Sequence, residues 1–315
     1  MFLYSCKGFD LSIRSTHIYF IIIILSSKYS YSLPAINLGF TNFLDGGPIR
    51  EVPGWYWTQF GRYYHASRFL NHEGKPVGSP SPSLTLVSII TQGTYQSHRT
   101  VLLGAYGGID VSLPLLLESK ISRNQLGITS SGAGFGNLGL GLYLQWKPVF
   151  LHGRPFFVHR LALAISFPTG KNCEPIRTIN PGTSFKFINP FWAATLFATP
   201  RVALSWRLFY LWSDTSAKTG LKLGDAIHLN YAACYGLLDN RLFLGINGYF
   251  LQQLEDNKLK GKIIPNSKER VLGIGLGGLY FFSKDNVLFA HFYSEKLVQN
   301  RPQGNSLVLR FVKHF

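Results

Sequence analysis

From about residue 50 onward, large apolar residues recur at every second position over runs of ten or more. Leu138, Leu140, Leu142, Leu144 and Trp146 alternate with Asn137, Gly139, Gly141, Tyr143 and Gln145. Successive side chains of a strand point to opposite faces. A row of hydrocarbons backed by small and polar groups therefore suits a wall with lipid on one side and water on the other. Val202, Leu204, Trp206, Leu208, Tyr210 and Trp212 oppose Ala203, Ser205 and Arg207 in the same way. Leu161, Leu163, Ile165 and Phe167 oppose Arg160, Ala162, Ala164 and Ser166. Leu242, Leu244, Ile246 and Phe250 oppose Phe243, Gly245, Asn247 and Tyr249, and Leu272, Ile274, Leu276 and Tyr280 oppose Gly273, Gly275 and Gly277.

The pattern predicts about twelve strands, over 53–69, 83–97, 100–116, 134–147, 155–167, 188–198, 201–213, 225–238, 241–254, 270–282, 286–296 and 305–315. Each has roughly the ten tilted residues that a barrel strand needs. Short connectors at His98-Arg99, Thr199-Pro200, Asp239-Asn240 and Ser283 to Asp285 have the composition of hairpin turns. They alternate with long Gly-, Pro-, Asn- and Lys-rich links at 70–82, 117–133, 168–187, 214–224, 255–269 and 297–304, with Pro148 to Arg154 intermediate. The expected fold is all-β: a transmembrane antiparallel up-and-down β-barrel with short periplasmic turns and long extracellular loops. Aromatics near strand ends, such as Trp55, Trp57, Trp146, Trp192 and Trp212, fit interfacial girdles.

Composition narrows the choice. Although 46% of the 315 residues are hydrophobic, the longest apolar run, Ile18 to Leu25, is far too short for a spanning helix. Membrane entry thus requires a closed barrel, which alone satisfies every strand amide and carbonyl in hydrocarbon. That run follows Lys7 and Arg14 and precedes Ser30-Tyr31-Ser32, an order that reads as a signal peptide over 1–32. The remainder divides into 33–50, a periplasmic or lumen-plug segment, and 51–315, the barrel.

Three cysteines, Cys6, Cys173 and Cys234, have neither metal-site nor disulfide-scaffold spacing. The formal charge is +16, and residues 1–32 hold Lys7, Arg14 and Lys28 against Asp10, so +14 remains beyond them. It is spread through connectors and strands rather than gathered in a nucleic-acid-like block. Outer-membrane lipids and lipopolysaccharide are the anionic partners this fits.

Gly134-Phe135-Gly136-Asn137-Leu138-Gly139 spells a dinucleotide fingerprint, but alternation continues where a helix should begin, so it is discarded. His65-Ala66-Ser67 places a histidine two residues from a serine, with no third member of a triad in view. No catalytic residue, cofactor or metal is therefore expected. Arg62, Asp110, Gln145, Arg160, Arg207, His228, Asn230, Asn247 and Arg310 fall on the polar faces of their strands and are the candidates to line the lumen. Leu307, Leu309, Phe311 and Phe315 alternate at the end of the chain. They resemble the assembly signal read by the barrel-assembly machinery, with Lys313 as a departure from it.

Leu33 to Pro48, Pro53-Gly54-Trp55, Tyr63 to Arg68, Asn189 to Thr195, Ser205-Trp206-Arg207, Gly245 to Tyr249 and Asn300 to Gly304 together resemble the SphA family, also known as the phenol-degradation meta-pathway (MetA-pathway) family of outer-membrane transporters. The resemblance covers nearly everything after residue 32. It implies a monomeric channel in the outer membrane of a Gram-negative bacterium that assists passive uptake of small hydrophobic or aromatic compounds, without enzymatic activity. It also implies that the amino-terminal segment gates the lumen, with Asn37, Asn42, Asp45, Gly46, Gly47 and Pro48 as plug residues. Two other classes stay open at this point: a sealed structural or adhesive barrel, and a lipid hydrolase.

Overall fold

The computed structural model describes residues 37–47, 53–124, 126–173 and 178–315. The expected signal peptide lies outside these residues, as does Pro48. Among the described residues there is no helix. Twelve long strands form one sheet: β1 (Gly54–Phe69), β2 (Ser83–Leu102), β3 (Ala105–Ser122), β4 (Leu138–Gln145), β5 (Arg154–Phe167), β6 (Phe187–Phe197), β7 (Val202–Ser213), β8 (Ala226–Leu237), β9 (Leu242–Gln253), β10 (Arg270–Phe281), β11 (Asn286–Gln299) and β12 (Pro302–His314). Every neighbouring pair is antiparallel and consecutive in sequence. The sheet closes where β12 returns to β1 in the register Gly61↔Leu309 and Tyr63↔Leu307. Among the described residues the twelve-strand cylinder has no open seam, as hydrocarbon demands.

The two-residue alternation sorts side chains as the pattern predicts. Leu142, Leu161, Leu208, Ile246, Ile274, Leu276 and Leu309 are exposed on the outside, whereas Tyr143, Gln145, Ser205, Asn247 and Arg310 are buried within. On β10 the inward positions Gly273, Gly275 and Gly277 carry no side chain. With strands about 4.8 Å apart and tilted about 40°, a twelve-strand cylinder has a backbone radius of roughly 12 Å. Its interior is too wide to be filled by small and medium side chains alone.

Two connectors differ from the sequence reading. The β2–β3 turn lies at Leu103-Gly104, both with positive φ, rather than at His98-Arg99. Alternation falters at Gln96 to Thr100 because the ladder is irregular there and then resumes, so the hairpin runs past the expected turn. At the other end, the expected long link 297–304 is only Asn300-Arg301, because β11 continues to Gln299 along β10 and β12 already begins at Pro302 along β1. The other long links do lie together at the end opposite the chain terminus. The tight turns share their end with the start of β1 and the end of β12, where the Phe315 amide donates to the Trp55 carbonyl. In outer-membrane barrels this end faces the periplasm.

Candidate functional site in the barrel lumen

Residues 37–47 run inside the cylinder and are held by side chains from around the wall. Asn42 donates to the carbonyls of Tyr231 (3.0 Å) and Gly248 (2.8 Å). The amides of Gly39, Leu44 and Gly46 donate to Asn230 Oδ1, Ser205 Oγ and Thr195 Oγ1 at 3.2, 3.1 and 3.0 Å. The Tyr293 hydroxyl donates to the Gly39 carbonyl at 2.8 Å, and Gln145 Nε2 donates to that of Gly46 at 3.0 Å. Asp45 forms an ion pair with Arg207 at 2.5 Å, with both side chains largely shielded from solvent. An irregular backbone segment in this interior, with few partners of its own, must find them on the wall. Gly39 has φ +76°, and a Cβ there would lie 2.7 Å from the Tyr293 ring, so only glycine fits this bend.

Apolar side chains complete the seat. Phe43 is fully buried and stacks on His291, with ring centroids 5.3 Å apart. Leu38 and Phe40 join a cluster with Leu221, Leu223, Phe185 and Leu70, contributed by the long links. The extracellular mouth is thus filled by packed hydrocarbon. A buried ionic knot braces it: Arg301 lies 3.5 Å from Glu269 Oε2 and 3.9 Å from Glu295 Oε1. Glu295 also accepts from the hydroxyls of Tyr64 (2.8 Å) and Tyr249 (2.9 Å) and from the Gly304 amide (2.9 Å). Burial works against the charge on Arg301, but Glu295 and Glu269 outweigh it and hold its pKa above the ordinary value.

The other end is hollow. A cavity of about 1270 Å³ opens among the tight turns and extends up the lumen to Asn37 and Phe60. Arg160, Arg207 and Arg310 line it, each guanidinium lying over an aromatic ring: Arg160 4.0 Å from Tyr143, Arg207 4.5 Å from Phe191 and Arg310 3.6 Å from Phe289. Asp110, on the same wall, accepts from Gln92 (3.1 Å) and Thr94 (2.5 Å).

Of the nine expected lumen residues, Asp110, Arg160, Arg207 and Arg310 line the cavity, and Gln145, Arg207 and Asn230 contact residues 37–47. Arg62 lies over Phe40 and Tyr64 at 5.4 and 5.1 Å, and Arg160 Nε donates to Gln145 Oε1 at 2.9 Å. Asn247 sits 2.7 Å from the Tyr293 hydroxyl and 2.9 Å from His291 Nδ1. His228 is buried and stacked on Phe209 at 3.9 Å. Of the plug candidates, Asn37, Asn42, Asp45 and Gly46 make polar contacts to the wall, and the Gly47 amide turns back to the Leu44 carbonyl at 3.5 Å. Leu307, Leu309 and Phe315 are exposed on the outer face. His65 is also exposed, and its Nδ1 lies 3.0 Å from Thr85 Oγ1.

Sequence reasoning overlooked Tyr293, Tyr249, Ser205, Thr195 and the knot of Glu269, Glu295 and Arg301. Tyr249 and Ser205 stood on inward faces but carry no charge to single them out. Arg301 falls in a polar link of the sequence, and its partners are Glu295 on β11 and Glu269 in the link before β10. Among the described residues no group of three or more His, Cys, Asp or Glu side chains could hold a metal ion.

The closed barrel finds its counterpart among known families. Residues 66–311 match the family model described as "Putative MetA-pathway of phenol degradation". The chain belongs to this family. Among solved structures, the COG4313 outer membrane channel from Pseudomonas putida F1 superposes with a TM-score of 0.74 at 15% identity, covering 89% of this chain and 100% of that one. The transport unit of the autotransporter AIDA-I from Escherichia coli gives 0.47 at 11% identity over 94% and 97%. The CymD monoaromatic hydrocarbon channel gives 0.43 at 10% identity over 84% and 89%. No curated protein matches the chain. This family member has the fold of an outer-membrane β-barrel, set among the lipids and lipopolysaccharide of a Gram-negative outer membrane.

Proposed function

We propose that the barrel assists passive uptake of small hydrophobic or aromatic compounds and that the amino-terminal segment 33–50 gates it. The observation that carries this reading is the seating of residues 37–47 within the lumen by hydrogen bonds to side chains on β4, β6, β7, β8 and β11, together with one ion pair. Those contacts can break without opening any ladder of the wall. Selectivity comes from the width of the passage and its lining, without covalent chemistry. The family description associates its members with phenol degradation, which fits an aromatic solute. The outward Leu307, Leu309 and Phe315 suit recognition by the barrel-assembly machinery, and a single closed cylinder works as a monomer. Deleting residues 33–50 should raise solute entry in liposome swelling, and unchanged swelling would remove the gating role.

A second reading, a sealed structural or adhesive barrel, is favoured by one observation. The extracellular mouth is closed by the cluster around Leu221, Leu223 and Phe185 as well as by Leu38 and Phe40. Conductance of the purified full-length protein in planar bilayers separates the two, because a sealed barrel gives no openings.

A further inference from the structure

We infer that the inner cavity is a binding site for an organic monoanion, a carboxylate on an apolar body, and that Asp45 occupies part of this site as an internal stand-in for the ligand. The inference names the solute class for the channel reading and rests on it.

Three guanidinium groups, those of Arg160, Arg207 and Arg310, line one cavity and lie against ring faces. Stacking covers the flat face of a guanidinium and leaves its N–H edge free, and that edge has the planar fork that matches a carboxylate. Two of the three have protein partners: Arg160 donates to Gln145 and Arg207 pairs with Asp45. Arg310 forms no hydrogen bond or ion pair to another described residue, and its Nε is buried without a partner. It is 8% exposed, lines the cavity, and lies within electrostatic range of Asp45 and Arg207. A buried cation without a counter-charge is costly unless one arrives with a ligand.

Asp45 shows what arrives. Its carboxylate sits on the lumen segment rather than on the wall. One oxygen is on Arg207 and the other, Oδ2, is buried with no partner. A ligand carboxylate placed between Arg207 and Arg310 would satisfy both guanidinium edges and leave Asp45 without its ion pair, loosening the segment it anchors. The remaining walls suit a hydrocarbon body: Phe197, Phe243, Phe281, Phe289, Val287 and Val312 all line the same space.

The test is calorimetric titration of the detergent-solubilised full chain at low ionic strength with the matched probes 4-phenylbutyrate and 4-phenylbutanol. The carboxylate should bind at least about tenfold more tightly than the alcohol, a factor that corresponds to about 1.4 kcal/mol. Arg310→Gln should erase most of that preference while leaving the alcohol unchanged, and Arg310→Lys should retain part of it. Asp45→Asn should strengthen carboxylate binding. Folding of each variant is checked by its heat-modifiable mobility in gels, so loss of the barrel is not mistaken for loss of the site. Equal affinities in the unaltered protein, no binding of either probe, or a preference that survives Arg310→Gln overturns the site. Unchanged or weaker carboxylate binding in Asp45→Asn overturns the stand-in role. Carboxylate-selective binding in a protein that shows no bilayer openings would instead overturn the channel reading and leave the site intact.

Discussion

Replacing Phe43 with alanine tests whether residues 37–47 are a separate unit seated in a finished cylinder. Phe43 is fully buried against Ala203, Ala232, Cys234, Phe243, Leu279 and Phe289 and stacks on His291. Truncating such a phenylalanine costs about 3–5 kcal/mol, made up of lost transfer energy and the cavity left behind. All of that cost falls on the seated state of the segment, because the barrel ladders do not involve Phe43. The equilibrium for unseating should therefore rise roughly 150- to 4,000-fold.

Native-state hydrogen exchange reads this shift over a wide range, since it reports rare openings as well as common ones. The amides of Gly39, Leu44 and Gly46 are suited to it, because each is hydrogen-bonded only to a wall side chain, Asn230, Ser205 or Thr195. In Phe43→Ala their protection should fall together by that factor, while amides in the β8–β9 and β11–β12 ladders keep theirs. If the three amides were unaffected, the packing of Phe43 would not hold the segment. If the ladder amides fell with them, segment and wall would be one cooperative unit and independent gating would be ruled out.

Three further outcomes are expected. Arg301→Met removes the guanidinium from a buried charge cluster and deprives the carboxylates of Glu269 and Glu295 of its positive charge, at a cost of about 3–5 kcal/mol. Limited proteolysis should then cut the 254–269 link at least tenfold faster, and an unchanged digestion rate would count against the knot as a brace. Gly39→Ala introduces a Cβ 2.7 Å from the Tyr293 ring at a positive φ, so it should unseat the segment and raise bilayer conductance without lowering the melting temperature of the barrel. Leu276→Arg on the lipid face, where Leu276 is 66% exposed, should lower barrel stability by about 2–4 kcal/mol in lipid denaturant titrations. A neutral result there would mean that this face does not meet hydrocarbon.

Most of the wall could be read from the chain because a membrane barrel enforces its pattern at every position. Leu138 to Gln145 and Val202 to Leu208 alternate without exception, and on their polar sides Gln145 bonds the Gly46 carbonyl and Arg207 pairs with Asp45. The failures occur where that constraint relaxes. The β2–β3 hairpin has an irregular ladder near its tip, so His98-Arg99 passed for a turn. The link 297–304 is polar enough to look like a loop, yet Pro302 to Asn305 pair with β1 and Arg301 is drawn inward by two glutamates. The interior seat was legible only in part. Asn42 and Asp45 stood out as polar residues beside Gly46-Gly47, but their partners are up to 206 positions away and belong to strands whose inward residues give no local sign of a tenant.

The bare inner side of β10 has a consequence for building hybrids. A Cβ on Gly273 would lie 2.3 Å from the Tyr249 ring, and one on Gly277 would lie 3.0 Å from the Phe43 ring and from His291. At Gly277 the missing side chain is therefore a keyway cut to the shape of Phe43. A chimera that sets this amino-terminal stretch in another family member's cylinder keeps that fit only if the corresponding place on the tenth stave stays bare.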